Sequence, residues 1–471
     1  MPPRNTAAQF VYRFLALAVV VVAGAAASLG QSPAPEFISL DAARPVLTQM
    51  ANALPPALKT SAPLDQKTWD AWVRAEDSEI RKRLERGEED TLTNLLRFGV
   101  TYTKEYRIDR EYLTHFGHST LVDAFADTRA NDLVRALSSP SSNPGWQEMR
   151  SFLERKGYSF ATAAERARVK QYLLANLARM RDEFQAYREK IKKGGDSALP
   201  ELYAERGISL DTNLWPDYDL ERQLRSLLAD GALQPGSIRR MAVVGPGLDF
   251  ANKEAGNDYY PPQTTQPFAL MDSLLRLRLA DPTKLQVVTF DISPLVNIHL
   301  ARVQKEGAAG KAQTVQLPWS TTVPREKQYL AGFIEYWKAL GDQIGAEVRP
   351  IPPPAATAGE LRLRAVKIRP EIAARVTPID MNIVFQRQAL PADQQFDLVV
   401  GTNIFLYYDA FEQSLARANL AAMVRPGGFV LTDDALAENV PAGLKLFART
   451  SITISSEPLI TQVIYSYRRE P

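Results

Sequence analysis

MAVVGPGLD, residues 241–249, decides how the chain is read. Its first half is a run of apolar residues, the composition of a short strand buried on both faces. The run stops at Gly245 and Gly247, which flank Pro246, and Asp249 follows. Glycines at a strand end leave backbone N–H groups bare, because no Cβ holds a ligand away. In an open α/β sheet such a turn lies in the crevice at the carboxyl ends of the strands, where ligands bind. A plain strand-to-loop turn has the same letters, so the weight falls on what comes next.

A second apolar run, LQVVTF at 285–290, ends in Asp291. An acid at that strand tip is placed to accept hydrogen bonds from ribose hydroxyls. The interval from glycines to acid exceeds the usual ~20 residues, because an aromatic and proline-bearing stretch, 250–267, intervenes. A third run, FDLVV at 396–400, leads into GTNIFLYYD, and VRPGGFVLT at 424–432 reads as a helix end, a Pro-Gly-Gly turn and a further strand. A dinucleotide-binding domain needs a third small residue three positions after the second glycine. Phe250 stands there.

Four such elements in this order, over about 238–436, resemble the class I S-adenosylmethionine-dependent methyltransferases. The resemblance implies an α/β fold: a Rossmann-like sheet with helices on both faces, here preceded by an all-α N-terminal domain. Within the superfamily the chain is most similar to the chemotaxis-receptor (CheR-type) enzymes. QPFALMDSLLRL from Gln266 looks like their EPYS-plus-helix segment, and TNIFLYYD from Thr402 like their RNVLIYFD. LRLRAVKIRPEIAARVTPIDMNIV from Leu361 resembles their paired short strands leading into an asparagine-containing adenine loop. Carried over by residue, the resemblance implies S-adenosyl-L-methionine as cofactor. Gly245, Gly247 and Asp249 would form the glycine turn, Asp291 with Ile292 would hold the ribose, and Asn382 with Ile383 would flank the adenine. Asn403 would lie near the methionine moiety. Thr402 stands where the family has arginine, and the glycine loop is longer than the family's.

Asn403, Tyr407 and Tyr408 fall near the expected methyl position, with Asn403 and Tyr407 as the catalytic candidates. Methyl transfer from a sulfonium chiefly needs donor and nucleophile to be aligned; a carboxylate acceptor needs no base, whereas an alcohol or amine must lose a proton. The expected function is methylation of a carboxylate or other oxygen on a protein or small molecule. The alternative is a non-catalytic methyltransferase-like binding or scaffold domain of the cell envelope. TNIF replaces the Asn-Pro-Pro-aromatic tetrad used on base amino groups, which speaks against DNA as substrate.

Composition narrows the field further. The net charge of +2 implies neither nucleic acid nor an anionic membrane as partner. With no cysteine, disulfides, thiolate metal sites and cysteine nucleophiles are excluded. Arg4 and Arg13 precede an apolar run at 14–27 that closes on small residues, the pattern of a secretory signal. Residues 1–30 are therefore expected to be a signal peptide or membrane anchor, placing the protein outside the cytoplasm, with membrane contact only through that segment. Such an address conflicts with the cytoplasmic supply of S-adenosylmethionine.

Residues 33–192 read as a helical domain, with apolar residues at three- and four-residue spacing. The methyltransferase-like domain is expected over 197–471, with an insertion at about 317–370 whose aromatic residues Trp319, Tyr329, Phe333, Tyr336 and Trp337 read as core. VTYTKEYRIDREYL from Val100 is similar to a threonine-aromatic-arginine segment of the CheR-type enzymes, and Arg107 is more simply a surface cation. His115 and His118 are spaced for one helix face but have no third ligand nearby, so no metal is expected. Asp433-Asp434 is a solvated strand end or a site for a cation or substrate amine.

Overall fold

The computed structural model of the chain describes residues 33–59, 63–103, 107–108, 120–194, 207–210, 212, 214–249, 258–320, 329–355, 361–436, 443–456 and 459–470. Its strands are β1 (Pro35–Phe37), β2 (Arg240–Val244), β3 (Gln286–Asp291), β4 (Gln313–Gln316), β5 (Trp319–Ser320), β6 (Gly345–Val348), β7 (Leu361–Arg362), β8 (Ala365–Ile368), β9 (Val376–Asp380), β10 (Gln386–Gln388), β11 (Phe396–Gly401), β12 (Val424–Thr432), β13 (Leu444–Ser456) and β14 (Leu459–Arg469). Its α-helices are α1 (Leu40–Gln49), α2 (Gln66–Phe98), α3 (Thr120–Ser138), α4 (Pro144–Arg155), α5 (Ala163–Gly194), α6 (Trp215–Ala229), α7 (Gln266–Arg276), α8 (Pro294–Ala308), α9 (Ala331–Ala339), α10 (Pro370–Ala373) and α11 (Ala410–Met423).

Seven strands make one sheet in the order β13-β14-β12-β11-β2-β3-β9. β12, β11, β2, β3 and β9 are parallel to one another, and β14 and β13 close one edge antiparallel. The fold is thus mixed α/β with a seven-stranded, mostly parallel, Rossmann-like sheet. β2, β3 and β11 are almost wholly buried, as their unbroken apolar runs require of strands covered on both faces. From β2 the chain steps through α7 to β3 and through α8 to β9; from β11 it steps through α11 to β12 on the other side. Right-handed crossovers put helices of opposite steps on opposite faces. The steps diverge between β2 and β11, which pair through Val244 and Gly401 at their carboxyl ends. A crevice opens at such a point.

The Pro-Gly-Gly stretch behaves otherwise than expected. α11 ends at Met423 and β12 begins at once, with residues 425–428 bulging between the pairs Phe396↔Val424 and Leu398↔Phe429. Gly427, at φ +77°, takes the left-handed conformation that the bulge needs.

Helices fill most of 40–194 among the described residues. α2 starts where the Asp65 carboxylate accepts the Thr68 N–H at 2.7 Å, and it buries Trp69, Trp72, Val73, Ile80 and Leu84 on one stripe. The expectation of an all-α N-terminal domain needs correction, because the segment opens with a strand. β1 pairs antiparallel with β10, and the Gln388 side-chain amide donates to the Pro33 carbonyl at 2.5 Å. The buried residues of α1 to α5 also belong to the same continuous core as the sheet. Apolar stripes of α1 and α2 pack on α11 and on the 382–385 turn because that is where their apolar partners are.

The stretch from Gln313 to Ile368 contributes the small antiparallel sheets β4-β8-β6 and β5-β7, and α9. Phe333, Tyr336 and Trp337 are buried, and Phe333 meets Tyr218 of α6 edge-on at 5.6 Å. These three are core, and the half-buried Trp319 and Tyr329 pack against it. Among the described residues no helix is long and apolar enough to cross a membrane, and the signal-like segment 1–30 lies outside them.

Candidate functional site

Gly245 and Gly247 sit just past β2 with φ of +63° and +72°, conformations open to glycine at little cost. The Gly245 N–H donates to the Phe290 carbonyl at 2.8 Å, which fastens the turn to β3. Both bare positions are used by the chain itself. A Cβ added to Gly245 would stand 2.0 Å from Ile404 Cδ1, and one added to Gly247 would stand 2.8 Å from the Leu210 carbonyl oxygen. Residues 207–210 and 212 lie across the turn as a strap. Its fastenings are Leu248 N–H to Leu210 O at 2.8 Å, Ser209 N–H to the Tyr407 hydroxyl at 3.3 Å, and Ile208 N–H to Arg83 O at 3.2 Å.

Beneath the strap is a crevice of about 40 Å³. Six of the residues expected at a cofactor or catalytic site line it together: Gly245, Gly247, Asp291, Ile292, Ile383 and Tyr407. They come from the ends of β2 and β3, the turn after β9 and the end of β11, the edge at which a parallel sheet collects ligands. Sequence reasoning missed Leu84 of α2, the strap residues, Met381 and Ile404. Apart from Ser209 these are apolar residues far apart in the chain, and no local pattern marks them. Tyr408, read as packing, is buried and also lines the crevice.

Asp291 is the one carboxylate in the lining. Burial pushes its pKa up to about 7, against the pull of backbone N–H groups at Ser293, Gly247 and Ile292, and the Asp380 charge adds to the rise. One of its oxygens accepts from Ser293 N–H at 2.7 Å. Arg81 of α2 closes this end, pairing with Asp380 at 2.7 Å and Asp77 at 3.1 Å. The rise has a consequence for stability. An acid whose folded pKa lies above its unfolded 3.8 contributes stability that is fully present below pH 3.8 and lost as pH rises through about 7. Melting temperature is expected to fall between pH 5 and pH 8, and Asp291→Asn to flatten that fall, as followed by circular dichroism.

Three expected site residues lie elsewhere. Asp249 turns to Gln263 and Tyr260, accepting from the Tyr260 hydroxyl at 2.8 Å, and does not line the crevice. Asn382 is wholly buried; its amide donates to Asp77 at 2.8 Å and its oxygen accepts from Val384 N–H at 3.1 Å, so its side chain braces the turn on α2. Asn382→Ala removes a bond to a charged partner and leaves Asp77 to Arg81 alone, so a loss of about 1.5–3 kcal/mol is expected in urea unfolding. Asn403 is exposed, with φ +57°, and its N–H is held by both oxygens of Asp433 at 2.9 and 3.0 Å. Asparagine tolerates that conformation better than most residues.

Arg107 does not line the crevice, although Val100 and Thr101 N–H of the same segment bind Asp258, which closes the loop after the glycine turn. His115 and His118 lie outside the described residues, among which no group of three His, Cys, Asp or Glu is set to hold a metal.

An acid at a strand tip, apolar flanks at Ile292 and Ile383 and bare glycine backbone are the groups an adenosine needs. The space is not there in this conformation. Pockets for ligands of that size measure roughly 300 Å³ or more, so the strap and Ile404 must withdraw before one enters.

No protein-family model matches the chain, and no curated protein matches it in sequence. Among solved structures it is similar to the N-methyltransferase NodS of Bradyrhizobium japonicum WM9 bound to S-adenosyl-L-homocysteine, at 13% identity over 58% of this chain and 97% of that one, with a TM-score of 0.27. It is also similar to a TehB-like S-adenosylmethionine-dependent methyltransferase of Corynebacterium glutamicum, at 10% identity over 55% and 100%, TM-score 0.24. A third is the glycopeptide N-methyltransferase MtfA with S-adenosylmethionine, at 13% over 54% and 77%, TM-score 0.21.

Proposed function

We propose that this protein binds S-adenosylmethionine in the crevice at the carboxyl edge of β2, β3 and β11 and is a methyltransferase. One observation carries the reading: the glycine turn, Asp291 and the turn after β9, 136 residues beyond Gly247 at Ile383, meet around a single crevice. Asp291 would accept from the ribose, Ile292 and Ile383 would flank the adenine, and the glycine turn would admit the methionine portion. When bound, S-adenosylmethionine supplies a sulfonium methyl for in-line displacement. The chain's part is to hold donor and acceptor in line and to exclude water, for which the strap, Tyr407 and Tyr408 are placed. The nearer likeness to CheR-type enzymes remains part of this proposal, supported by α7 starting at Gln266 where their segment is expected.

A second reading, a non-catalytic methyltransferase-like module, is favoured by the packing of Ile404 onto Gly245. Calorimetric titration of the protein and of its Ile404→Ala variant with S-adenosylmethionine and S-adenosylhomocysteine separates the two. Shortening Ile404 removes an obstacle from the glycine turn, so the variant is expected to bind at least about tenfold more tightly, a gain of about 1.4 kcal/mol. Absence of heat from either ligand in both proteins would sink the first reading and favour the second. Export through residues 1–30 is carried forward as a proposal, tested by a reporter fused after that segment.

A further inference from the structure

The bulge at Gly427 lies where β12 begins, at the amino edge of the sheet and thus at the end away from the crevice. Two guanidinium groups flank the space beside it. A Cβ built on Gly427 would stand 3.7 Å from Arg425 Nη1 and 3.9 Å from Arg468 Nη2, and among the described residues nothing else beyond the chain neighbours comes within 4 Å. One open point therefore has two cationic donors around it, from β12 and from β14.

Both groups are held by the chain without exhausting their donors. Arg425 gives its Nε to Asp397 and one Nη1 proton to the Pro426 carbonyl at 3.1 Å. Arg468 is exposed, lies against the rings of Phe429 and Phe447 at 5.7 and 5.9 Å, and pairs with no carboxylate among the described residues. A ring attracts the charge but leaves the N–H donors for a further partner. Lys445 of β13 stands directly opposite Arg468 in the ladder and pairs with Glu470 at 2.5 Å. Like charges facing each other across a ladder destabilise it, and Glu470 answers only one of the two.

An anion would relieve this, and the geometry narrows its kind. Guanidinium forks match carboxylates and phosphates alike. A carboxylate, with two oxygens in a plane, fills one fork. A phosphate monoester has three free oxygens set tetrahedrally, so a single group can meet forks from two strands. The bare Gly427 lets it approach the backbone. Phe447 is 44% exposed, stands edge-on to Phe429 at 5.4 Å and borders Arg468, so it offers an apolar surface to whatever carries the phosphate.

We propose that Arg425 and Arg468, across the bulge at Gly427, bind the phosphate group of a phosphate monoester whose organic part lies on Phe447. The site is separate from the crevice and does not rest on the function proposed above.

The full-length protein is titrated calorimetrically at pH 8 and low salt with inorganic phosphate and with phenyl phosphate, and with sodium acetate at matched ionic strength as control. S-adenosylmethionine is left out throughout, so its own binding or failure to bind does not enter the result. Saturable binding of both phosphates but not of acetate is expected, phenyl phosphate the tighter, with affinity falling as sodium chloride is added. Arg468→Gln and Arg425→Gln are each expected to weaken it at least tenfold. Arg468 is exposed and has no acid to strand, so its variant serves should loss of the Arg425–Asp397 pair prevent folding. Phe447→Ala is expected to bring phenyl phosphate down to the affinity of inorganic phosphate. Acetate binding as tightly as phosphate, or wild-type phosphate affinity in folded Arg468→Gln, would overturn the site. Unchanged phenyl phosphate affinity in Phe447→Ala would overturn the part given to the ring.

Discussion

Asp291→Ala is expected to weaken S-adenosylmethionine binding roughly a hundredfold or more. A carboxylate that accepts from ribose hydroxyls makes charge-assisted bonds worth about 1.5–3 kcal/mol each, and alanine can make none of them. Asp291 stands at the tip of β3 inside the crevice, where burial has raised it to about 7. It must be ionised to act as a double acceptor. Affinity is therefore expected to rise from pH 6 to pH 8 in the wild type and to stay level across that range in Asp291→Ala. Calorimetry at three pH values reads both effects. If the variant binds like the wild type, the adenosyl group does not lie against Asp291.

The two glycines give the second large effect, and they differ in a way that the geometry dictates. Gly247→Ala places a Cβ in a left-handed conformation, at about 1–2 kcal/mol, and drives it against the Leu210 carbonyl at 2.8 Å, a backbone atom with no rotamer to change, so relief costs the strap's own hydrogen bonds. Gly245→Ala carries the same conformational penalty, but its obstacle is the Ile404 side chain, which can change rotamer. Urea unfolding is expected to show losses of about 3 kcal/mol or more for Gly247→Ala, and less for Gly245→Ala. Equal losses would mean that the strap does not lie on Gly247.

Much of the sheet was legible because its strands are written locally. LQVVTF and FDLVV are apolar runs closed by an acid or a glycine, and they became β3 and β11 within a residue. That Gly245, Gly247 and Asp291 would meet at the carboxyl edge of the sheet was legible for the same reason: each stands at a strand end marked by its own few neighbours. What fills the crevice was not legible. Ile404, Leu84 and Leu210 are ordinary apolar residues, and only the fold brings them onto the glycine turn. Asn382 was assigned to the adenine by likeness of its surroundings, yet its amide is claimed by Asp77, 305 positions earlier. The Pro-Gly-Gly stretch misled because a bulge opposite Asp397 and a helix-ending turn ask for the same residues.

The pairing of β1 with β10 ties the carbonyl of Pro33 to Gln388, 355 positions along the chain. During synthesis the early segment must wait, unpartnered, until nearly the whole polypeptide has emerged. Contacts of such long sequence separation are slow to close and leave apolar surface open meanwhile. Shortened chains that stop before β10 are thus expected to need a chaperone, even though most of their helices are already complete.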